Sequence, residues 1–416
     1  MKDGPKKTLT PKLRFPEFKD GPGWDGVNGN KLFDLIDRRP APPGLPILAI
    51  TQEHGAVPRD HIDYHVSVTE TSIASYKEVQ PADFIISLRS FQGGIEYSRF
   101  HGICSPAYLI LKRKGTGSDD FYRHLFKSDR FIQQLTRNIE GIRDGKMISY
   151  KQFSEQLLPT PQPAEQRKIA ACLTSLDELL AAEGRKLVAL RTHKKGLMQQ
   201  LFPREGESRP RLRFPEFRDA PDWEEQSLSA SFSHIRNGFV GTATPFYVDG
   251  GVPYLQGKNV KKGRIDPTGL ITISKVFHDK QKKSQLKRDD IVMVQSGHVG
   301  ECAHIDDAFA GTNCHALIIM TPRERQHSPF FVHCFESDYG AGLIAQITTG
   351  NTIKHILASD MNALMVRAPQ FAEQQRIAVC LSWLDELIGA QSRKLDSLRA
   401  HKKGLMQQLF PSPEGD

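Results

Sequence analysis

Two segments of the chain carry apolar residues at alternating steps of four and three positions. Each series has ten positions, of which eight are apolar and two are polar, Glu183 and Lys194 in the first and Gln391 and Lys402 in the second. This spacing is the a/d pattern of helices that pack along a narrow seam. We therefore predict two long helices that form an antiparallel coiled coil; the alternative is that each helix packs only on its own domain. The apolar seam residues are Ile169, Leu173, Leu176, Leu180, Leu187, Leu190, Leu197, Leu201, Ile377, Leu381, Leu384, Ile388, Leu395, Leu398, Leu405 and Leu409.

Prolines and glycines mark the predicted ends of these helices. Proline fits the first turn of a helix and opposes its continuation upstream. Gly196 and Gly404 are expected to end or kink the main helices, with a last short turn after each. The flanking prolines are Pro159, Pro161, Pro163 and Pro369 before the helices, and Pro203 and Pro411 after them.

The helical segments belong to a large internal repeat. Residues 165–203 and 373–411 are identical at 27 of 39 positions, and the hexapeptide at 13–18 recurs at 212–217. Repeats of this kind indicate duplicated structural units. The middles between the repeated ends show no sequence resemblance to each other, so the pattern predicts one duplicated frame that carries two different modules.

Each middle is long enough for one compact domain. Short apolar runs bounded by turn residues indicate buried strands, and two segments have helical character. We expect a mixed α+β fold in which two α/β domains are separated by the two long helices, related as a pseudo-two-fold internal repeat. The predicted strands are 46–50, 83–88, 106–111, 252–256, 291–294 and 316–320, the helical stretches are 121–128 and 330–336, and the predicted divisions are 1–160, 161–203, 204–368 and 369–416.

Composition narrows the class of protein. The formal net charge of +8 fits a nucleic-acid partner, because phosphate attraction needs lysine and arginine on the binding face. The six cysteines form no CxxC pair and no zinc-finger spacing, which indicates reduced, buried thiols and no metal site. The absence of a long apolar run and of a secretory leader leads us to expect a cytoplasmic protein without a membrane partner.

Several polar clusters could contact DNA. Arginine, lysine, asparagine and glutamine side chains can read base edges, and additional lysines mainly meet phosphates. For any single residue an ordinary solvated loop is the competing interpretation. The candidates are Arg89, Ser90, Gln92, Arg143 and Lys146 in the first middle, and Lys258, Asn259, Lys261, Lys262, Arg264, Ser296, His298, Asn351, Thr352, Lys354 and His355 in the second.

The chain resembles the specificity subunits of type I restriction-modification systems over essentially its full length. The resemblance rests on the runs at 163–170 and 372–378, on Leu-Asp-Glu-Leu at 176–179 and 384–387, and on the repeated ends of both helices. It implies two target-recognition domains, each reading half of a split DNA site, with a coiled coil acting as a ruler between them. It also implies two methyltransferase subunits as partners, and restriction subunits that hydrolyse ATP.

A catalytic function of the chain itself is not expected. We find no NPPY- or DPPY-type methyltransferase motif, no phosphate-binding loop and no HExxH in the sequence. No cofactor is therefore predicted for this chain, while partner subunits would use S-adenosylmethionine, ATP and magnesium. A free-standing regulator that binds split operators is the alternative function.

Overall fold

The computed structural model describes residues 8–62, 73–88, 90–137 and 148–411. The chain divides into two compact units, Met1–Gly184 with Arg393–Asp416, and Arg185–Ser392. Each unit combines one mixed α/β domain with one half of each long helix. The cut through both helices departs from the predicted divisions, which assigned each helix to a segment of its own.

The first domain consists of short strands and short helices, followed by a long helix. Its strands are β1 (Thr8–Leu9), β2 (Trp24–Asn28), β3 (Phe33–Ile36), β4 (Leu48–Thr51), β5 (Gly55–Pro58), β6 (Lys77–Val79), β7 (Asp83–Ile86), β8 (Glu96–Tyr97), β9 (Gly102–Cys104), β10 (Leu109–Arg113) and β11 (Leu157–Thr160). Its helices are α1 (Gly29–Leu32), α2 (Ser90–Gly93), α3 (Asp119–Leu125), α4 (Asp129–Arg137) and α5 (Tyr150–Ser154), and the long helix is α6 (Pro163–Leu201).

The second domain repeats this plan. Its strands are β12 (Glu224–Ser227), β13 (Phe232–Asn237), β14 (Tyr247–Leu255), β15 (Val260–Lys261), β16 (Arg264–Ile265), β17 (Ile271–Ile273), β18 (Ile291–Val294), β19 (Cys302–His304), β20 (Asn313–Cys314), β21 (Leu317–Pro322) and β22 (Met365–Ala368). Its helices are α7 (Leu228–Ser231), α8 (Lys275–Lys280), α9 (Ser328–Glu336), α10 (Asp338–Ile347) and α11 (Ala358–Ala363), and the long helix is α12 (Phe371–Leu409). Single 3₁₀ turns lie at Pro16–Phe18, Arg59–His61, Pro215–Phe217, Thr244–Phe246, Gly257–Asn259 and Lys282–Ser284.

The central sheets of the two domains have the same topology. The first has the strand order β3-β10-β7-β8 and the second β13-β21-β18-β19, and all neighbours in both are antiparallel. A helix pair follows the last strand of each central sheet in chain order, α3 with α4 after β10 and α9 with α10 after β21. These helices share Phe, His, Phe, Ser and Asp at equivalent places in 121–129 and 330–338. The middles are therefore related folds, which the comparison of their sequences missed.

Additional strands distinguish the two domains. In the first, β1-β2-β11, β4-β5 and β6-β9 form small sheets, and in the second the small sheets are β12-β22, β17-β14-β20 and β15-β16. The strand pairs β2-β11 and β12-β22 occupy equivalent places, next to the start of a long helix. Most of the difference in strand arrangement lies in the segments between β3 and β7 of the first domain and between β13 and β18 of the second.

Both heptad helices form as predicted, each with 39 residues. Every seam position is buried or half-buried, including the polar members Glu183 and Gln391. The prediction that Gly196 and Gly404 end the main helices is wrong, because α6 and α12 continue through them to Leu201 and Leu409. A Cβ at either glycine would meet nothing within 4 Å, so the helix passes these points without a packing conflict.

The antiparallel pairing of the helices is visible inside each unit. In the first unit, Ile169 and Leu173 of α6 share a core with Met406 and Leu409 of α12. In the second unit, the carboxy-terminal turns of α6 pack in one core with the amino-terminal turns of α12, through residues that include Met198 and Ile377. The predicted antiparallel coiled coil is confirmed, and the alternative in which each helix packs only on its own domain is wrong.

The repeated end of each long helix inserts an aromatic ring into a domain core. Phe410 follows α12 and lies 5.6 Å from Phe121 between ring centroids, and Phe202 follows α6 and lies 5.6 Å from Phe330. These pairs are edge-on or tilted, as buried aromatic pairs prefer. The identical helix ends in the sequence are thus explained by equivalent contacts in the two cores.

The repeated hexapeptides are held against the starts of the long helices. Arg14 donates to both carboxylate oxygens of Glu165, at 2.8 and 2.7 Å, and Arg213 makes the equivalent bidentate pair with Glu373. The carboxylates are 1% exposed in both units, so the charges are compensated inside the protein.

Throughout the part of the chain that the structure describes, we find no helix with the length and apolar character needed to cross a bilayer.

Candidate nucleic-acid interface

Most polar candidates of the second domain lie on two loops that are bonded to each other. One loop, residues 295–301, joins β18 to β19, and the other, residues 348–357, lies between α10 and α11. Ser296 and His355 form a backbone bridge, the Gly297 amide donates to the carbonyl of Lys354 at 3.2 Å, and the Ile356 amide donates to Gln295 at 3.0 Å. The central sheet therefore holds the 295–301 loop at both ends, and hydrogen bonds to that loop hold the 348–357 loop.

The side chains on this loop pair face solvent. Ser296, His298, Asn351, Thr352 and Lys354 are exposed, and the neighbouring His355 is half-buried. Hydroxyl, imidazole, amide and ammonium groups together offer both donors and acceptors at one surface. The structure thus brings together six of the predicted residues that are far apart in sequence, in an arrangement able to approach base edges.

A second cluster surrounds the β15-β16 hairpin. Lys258, Lys262 and Arg264 are exposed, and the hairpin lies beside β19 through a bridge between Gly263 and Ala303. Lys261 is also exposed and pairs with Asp266 at 2.8 Å, an interaction that holds the pKa of the Asp266 carboxyl well below its usual range. These cations are suited to phosphate contacts, which need charge more than fixed geometry.

Asn259 corrects the prediction for this cluster. Its side chain is 0% exposed, its amide nitrogen donates to the carbonyl of Asp266 at 3.0 Å, and its oxygen accepts from the Gln256 amide at 3.1 Å. Asparagine commonly satisfies turn backbone in this way. Asn259 therefore shapes the loop and is not presented to DNA.

Of the five DNA-contact candidates in the first domain, the structure describes two, Ser90 and Gln92. Gln92 is exposed at α2, at the same connection between central strands as the 295–301 loop of the second domain. Ser90 is 1% exposed and its hydroxyl oxygen accepts from the Ser87 amide at 2.7 Å, so the structure gives it a local role and its contact with DNA stays a prediction. Arg89, Arg143 and Lys146 lie outside the described residues.

A groove of about 920 Å³ runs between the loop pair and helix α6 in the second unit. Its basic lining comes from two sources, Lys262, His298 and Lys354 of the domain and Arg191 and Lys195 of the helix. Acidic side chains also reach it, namely Glu301, Glu336, Asp338 and Asp385. Sequence analysis did not assign Arg191 or Lys195 to the interface, although their spacing of four residues places them on one face of a helix.

The acidic groups at the base of the groove are largely compensated. The Lys194 ammonium lies 2.6 and 2.7 Å from the two carboxylate oxygens of Asp385 and 3.7 Å from Glu336. His333 completes the group, with its Nε2 at 3.1 Å from the Ser382 hydroxyl. His333, Glu336 and Asp385 bring possible metal-ligand atoms within 4.8 Å of one another, but the lysine already supplies a cation at this place.

The first unit has the equivalent polar group. Lys402 pairs with Asp177, and His124 lies on the same side with its Nε2 at 3.2 Å from the Thr174 hydroxyl. Burial lowers the pKa of His124 to about 2, and the positive charges of Arg123, Lys402 and Arg99 contribute to the shift. His124 is consequently neutral, and its hydrogen bond to Thr174 links helix α3 to helix α6.

Comparison with known proteins finds matches to one family. Residues 221–400 match the family described as Type I restriction modification DNA specificity domain. The chain is 26% identical over 391 residues to the putative type I restriction enzyme MjaX specificity subunit of Methanocaldococcus jannaschii, covering 88% of this chain and 86% of the relative. It is also 25% identical over 171 residues to the EcoKI specificity subunit of Escherichia coli K12, covering 40% of this chain and 35% of that one.

The chain is thus similar to the specificity subunits of type I restriction-modification systems. The crystal structure of the S subunit from M. genitalium has the same fold, with a TM-score of 0.59, 16% identity, and coverage of 97% of this chain and 99% of that one. A chain from a structural study of type I complex assembly gives a TM-score of 0.56 at 19% identity, covering 94% and 98%. The relatives that the chain matches over most of its length are named specificity subunits.

Proposed function

We propose that this chain is a specificity subunit that reads a bipartite DNA site and directs partner subunits to it. The observation that carries the proposal is the duplication of one sheet-and-helix scaffold under loops of different sequence. The shared scaffold carries the DNA-reading loops at equivalent places in the two domains. The loops differ in sequence, so each domain has its own DNA target. Sequence is read by contacts to base edges, so different loops produce different half-sites.

In the second domain, the loop pair is the proposed base-reading surface. Asn351 and His298 can hydrogen-bond to base edges, and Lys258, Lys262 and Arg264 neutralise phosphates beside them. In the first domain, Gln92 is the described candidate, and the remaining candidates there stay predictions. Arg191 and Lys195 of α6 extend the phosphate-contacting surface along the helix.

We further propose that two identical methyltransferase subunits dock on the exposed parts of the internal repeat. Leu13 and Leu212 hold equivalent places in the repeated hexapeptides, and both are 39% exposed. Beside them, Lys168 stacks on Phe15, and Arg376 stacks on Phe214 at 4.2 Å from the ring centroid. The two halves of the chain are proposed to read different DNA targets, yet they share these exposed residues. A partner subunit that is the same for both halves explains why these residues are the same.

The chemistry of the complex belongs to these partners in this proposal. Methyltransferase subunits bring S-adenosylmethionine, and restriction subunits bring ATP hydrolysis and magnesium-dependent cleavage. This chain contributes binding and geometry, with no cofactor of its own. The two long helices hold the recognition domains at a set separation, which determines the length of the unread gap in the DNA site.

Reconstitution with the methyltransferase subunit tests the proposal. The purified chain alone is expected to bind DNA weakly and to transfer no methyl group, and the mixture is expected to methylate adenine at one split sequence. Mass measurement should give two methyltransferase subunits for each copy of this chain. Methyl transfer by the chain alone, or tight specific binding to a split operator without any partner, contradicts the proposal; the second result favours the free-standing regulator.

A further inference from the structure

We propose that Ile353 is the thymine-reading residue of the second recognition domain, through apolar contact with a thymine methyl group. The inference rests on the proposed DNA-reading function and goes beyond it by naming one side chain and one base feature. Ile353 is 66% exposed, which places a large apolar group in solvent among polar neighbours.

The loop that carries Ile353 is a built hairpin. The amide and carbonyl of Thr349 are bonded to those of His355, at 2.9 and 2.8 Å, which closes the base of the hairpin. Gly350 has a φ of +93°, and a Cβ at this position would lie 2.2 Å from the carbonyl oxygen of Ile353. Only glycine fits this turn. The backbone thus holds Ile353 at an exposed tip, whereas a simple surface loop would not require such a restricted turn.

The hairpin stands where the chain offers its other DNA-binding groups. It is joined through His355 to Ser296 of the neighbouring loop, and Lys354 lines the basic groove together with His298. Asn351 and Thr352 are exposed on the same hairpin. Ile353 is therefore the most exposed large apolar residue of the loop pair, ahead of Leu357 at 47%, and it lies among donors and acceptors.

Thymine presents the matching group. In the major groove, the C5-methyl of thymine is the apolar feature that distinguishes its base pair, and aliphatic side chains recognise it by contact. Burying one methyl-sized apolar group contributes about 0.8 kcal/mol, which corresponds to roughly fourfold in affinity at 25 °C. Asn351 and Lys354, on either side of Ile353, can meet neighbouring base edges or phosphates at the same time.

The test uses the complex of this chain with its methyltransferase subunit and a duplex that contains its mapped methylation site. Each thymine of the half-site read by the second domain is replaced in turn by deoxyuridine, which removes only the methyl group. For the wild-type complex, one such replacement should weaken binding roughly 3- to 10-fold. Ile353→Ala should weaken binding to the unmodified site by a similar factor and should make the complex indifferent to that replacement. Ile353→Val should keep the sensitivity.

Val276 provides the matched control, because it is also 66% exposed but lies on α8, outside the loop pair. Val276→Ala should leave both affinity and the response to deoxyuridine unchanged. The inference is overturned if no thymine replacement couples to Ile353→Ala, if the half-site contains no thymine, or if Ile353→Ala instead weakens assembly with the methyltransferase. Loss of specific binding by the wild-type complex would contradict the proposed function itself, so the two failures are distinguishable.

Discussion

Two buried charges anchor the start of each long helix at the scale of single residues. Arg14 and Glu165 are 8% and 1% exposed in their side chains, and the arginine also donates to the carbonyls of Gly21 and Pro22. Removing one partner of a buried pair leaves the other charge uncompensated. The repeated arginine and glutamate of the sequence are thus explained by the stability of the helix starts, independently of any DNA contact.

Arg14→Met should therefore lower the free energy of unfolding of the first unit by about 3–5 kcal/mol. The exposed pair of Lys168 and Glu17 serves as the control, because surface pairs contribute about 0–1 kcal/mol. Hydrogen exchange of the first unit, or denaturant unfolding, measures both variants. Equal losses for Arg14→Met and Lys168→Met would show that the buried pair is not an anchor.

His124 gives the first unit a stability that depends on pH. Its pKa is about 2 in the folded chain, where burial keeps the ring neutral, against about 6.5 when unfolded. Between these values only the unfolded chain binds the proton, so stability is full above pH 6.5 and falls as the pH is lowered, by up to about 1.4 kcal/mol per pH unit. His124→Asn should reduce this slope between pH 6.5 and 5, and His401→Asn, at an exposed position of the same unit, should not. An unchanged slope in His124→Asn would contradict the assignment.

At the scale of elements, the spacing of apolar residues was enough to predict the two heptad helices and most central strands. Leucine and isoleucine mark these apolar positions in the sequence. The relation between the two domains was missed because a buried strand requires only apolar residues, and β10 and β21 satisfy this with different ones. The shared helix pair left a stronger trace, since Phe121 and Phe330 occupy equivalent positions in the two cores.

Residue type alone could not separate readers of DNA from residues that shape loops. Asn259 and Ser90 were predicted as DNA contacts, yet both satisfy local backbone groups and are buried. Arg191 and Lys195 show the converse, because their place beside a domain groove depends on packing between segments distant in sequence. The exposure of the loop pair's polar residues could be anticipated, since they cluster around glycines that mark exposed turns, and their contact with DNA stays a prediction.

At the scale of the whole molecule, we propose that the coiled coil sets the length of the gap between the two DNA half-sites. Asp177 faces Lys402 in the first unit and Lys194 faces Asp385 in the second, which defines the same antiparallel register in each. A heptad in a helix rises about 10.5 Å, or roughly three base pairs of duplex DNA. Removing one heptad from each helix at matched positions keeps the a/d seam in phase and shortens only the separation.

The most direct measurement maps methylated sites for a variant that lacks residues 184–190 and 389–395, which face each other in this register. The account predicts that both half-site sequences stay unchanged while the gap between them shortens by about three base pairs. A variant lacking only two residues from each helix turns the seam by about 200° to the opposite face and serves as the control for loss of assembly. Altered half-sites with an unchanged gap, in a variant that still assembles and methylates, would contradict the claim that the helices set the spacing.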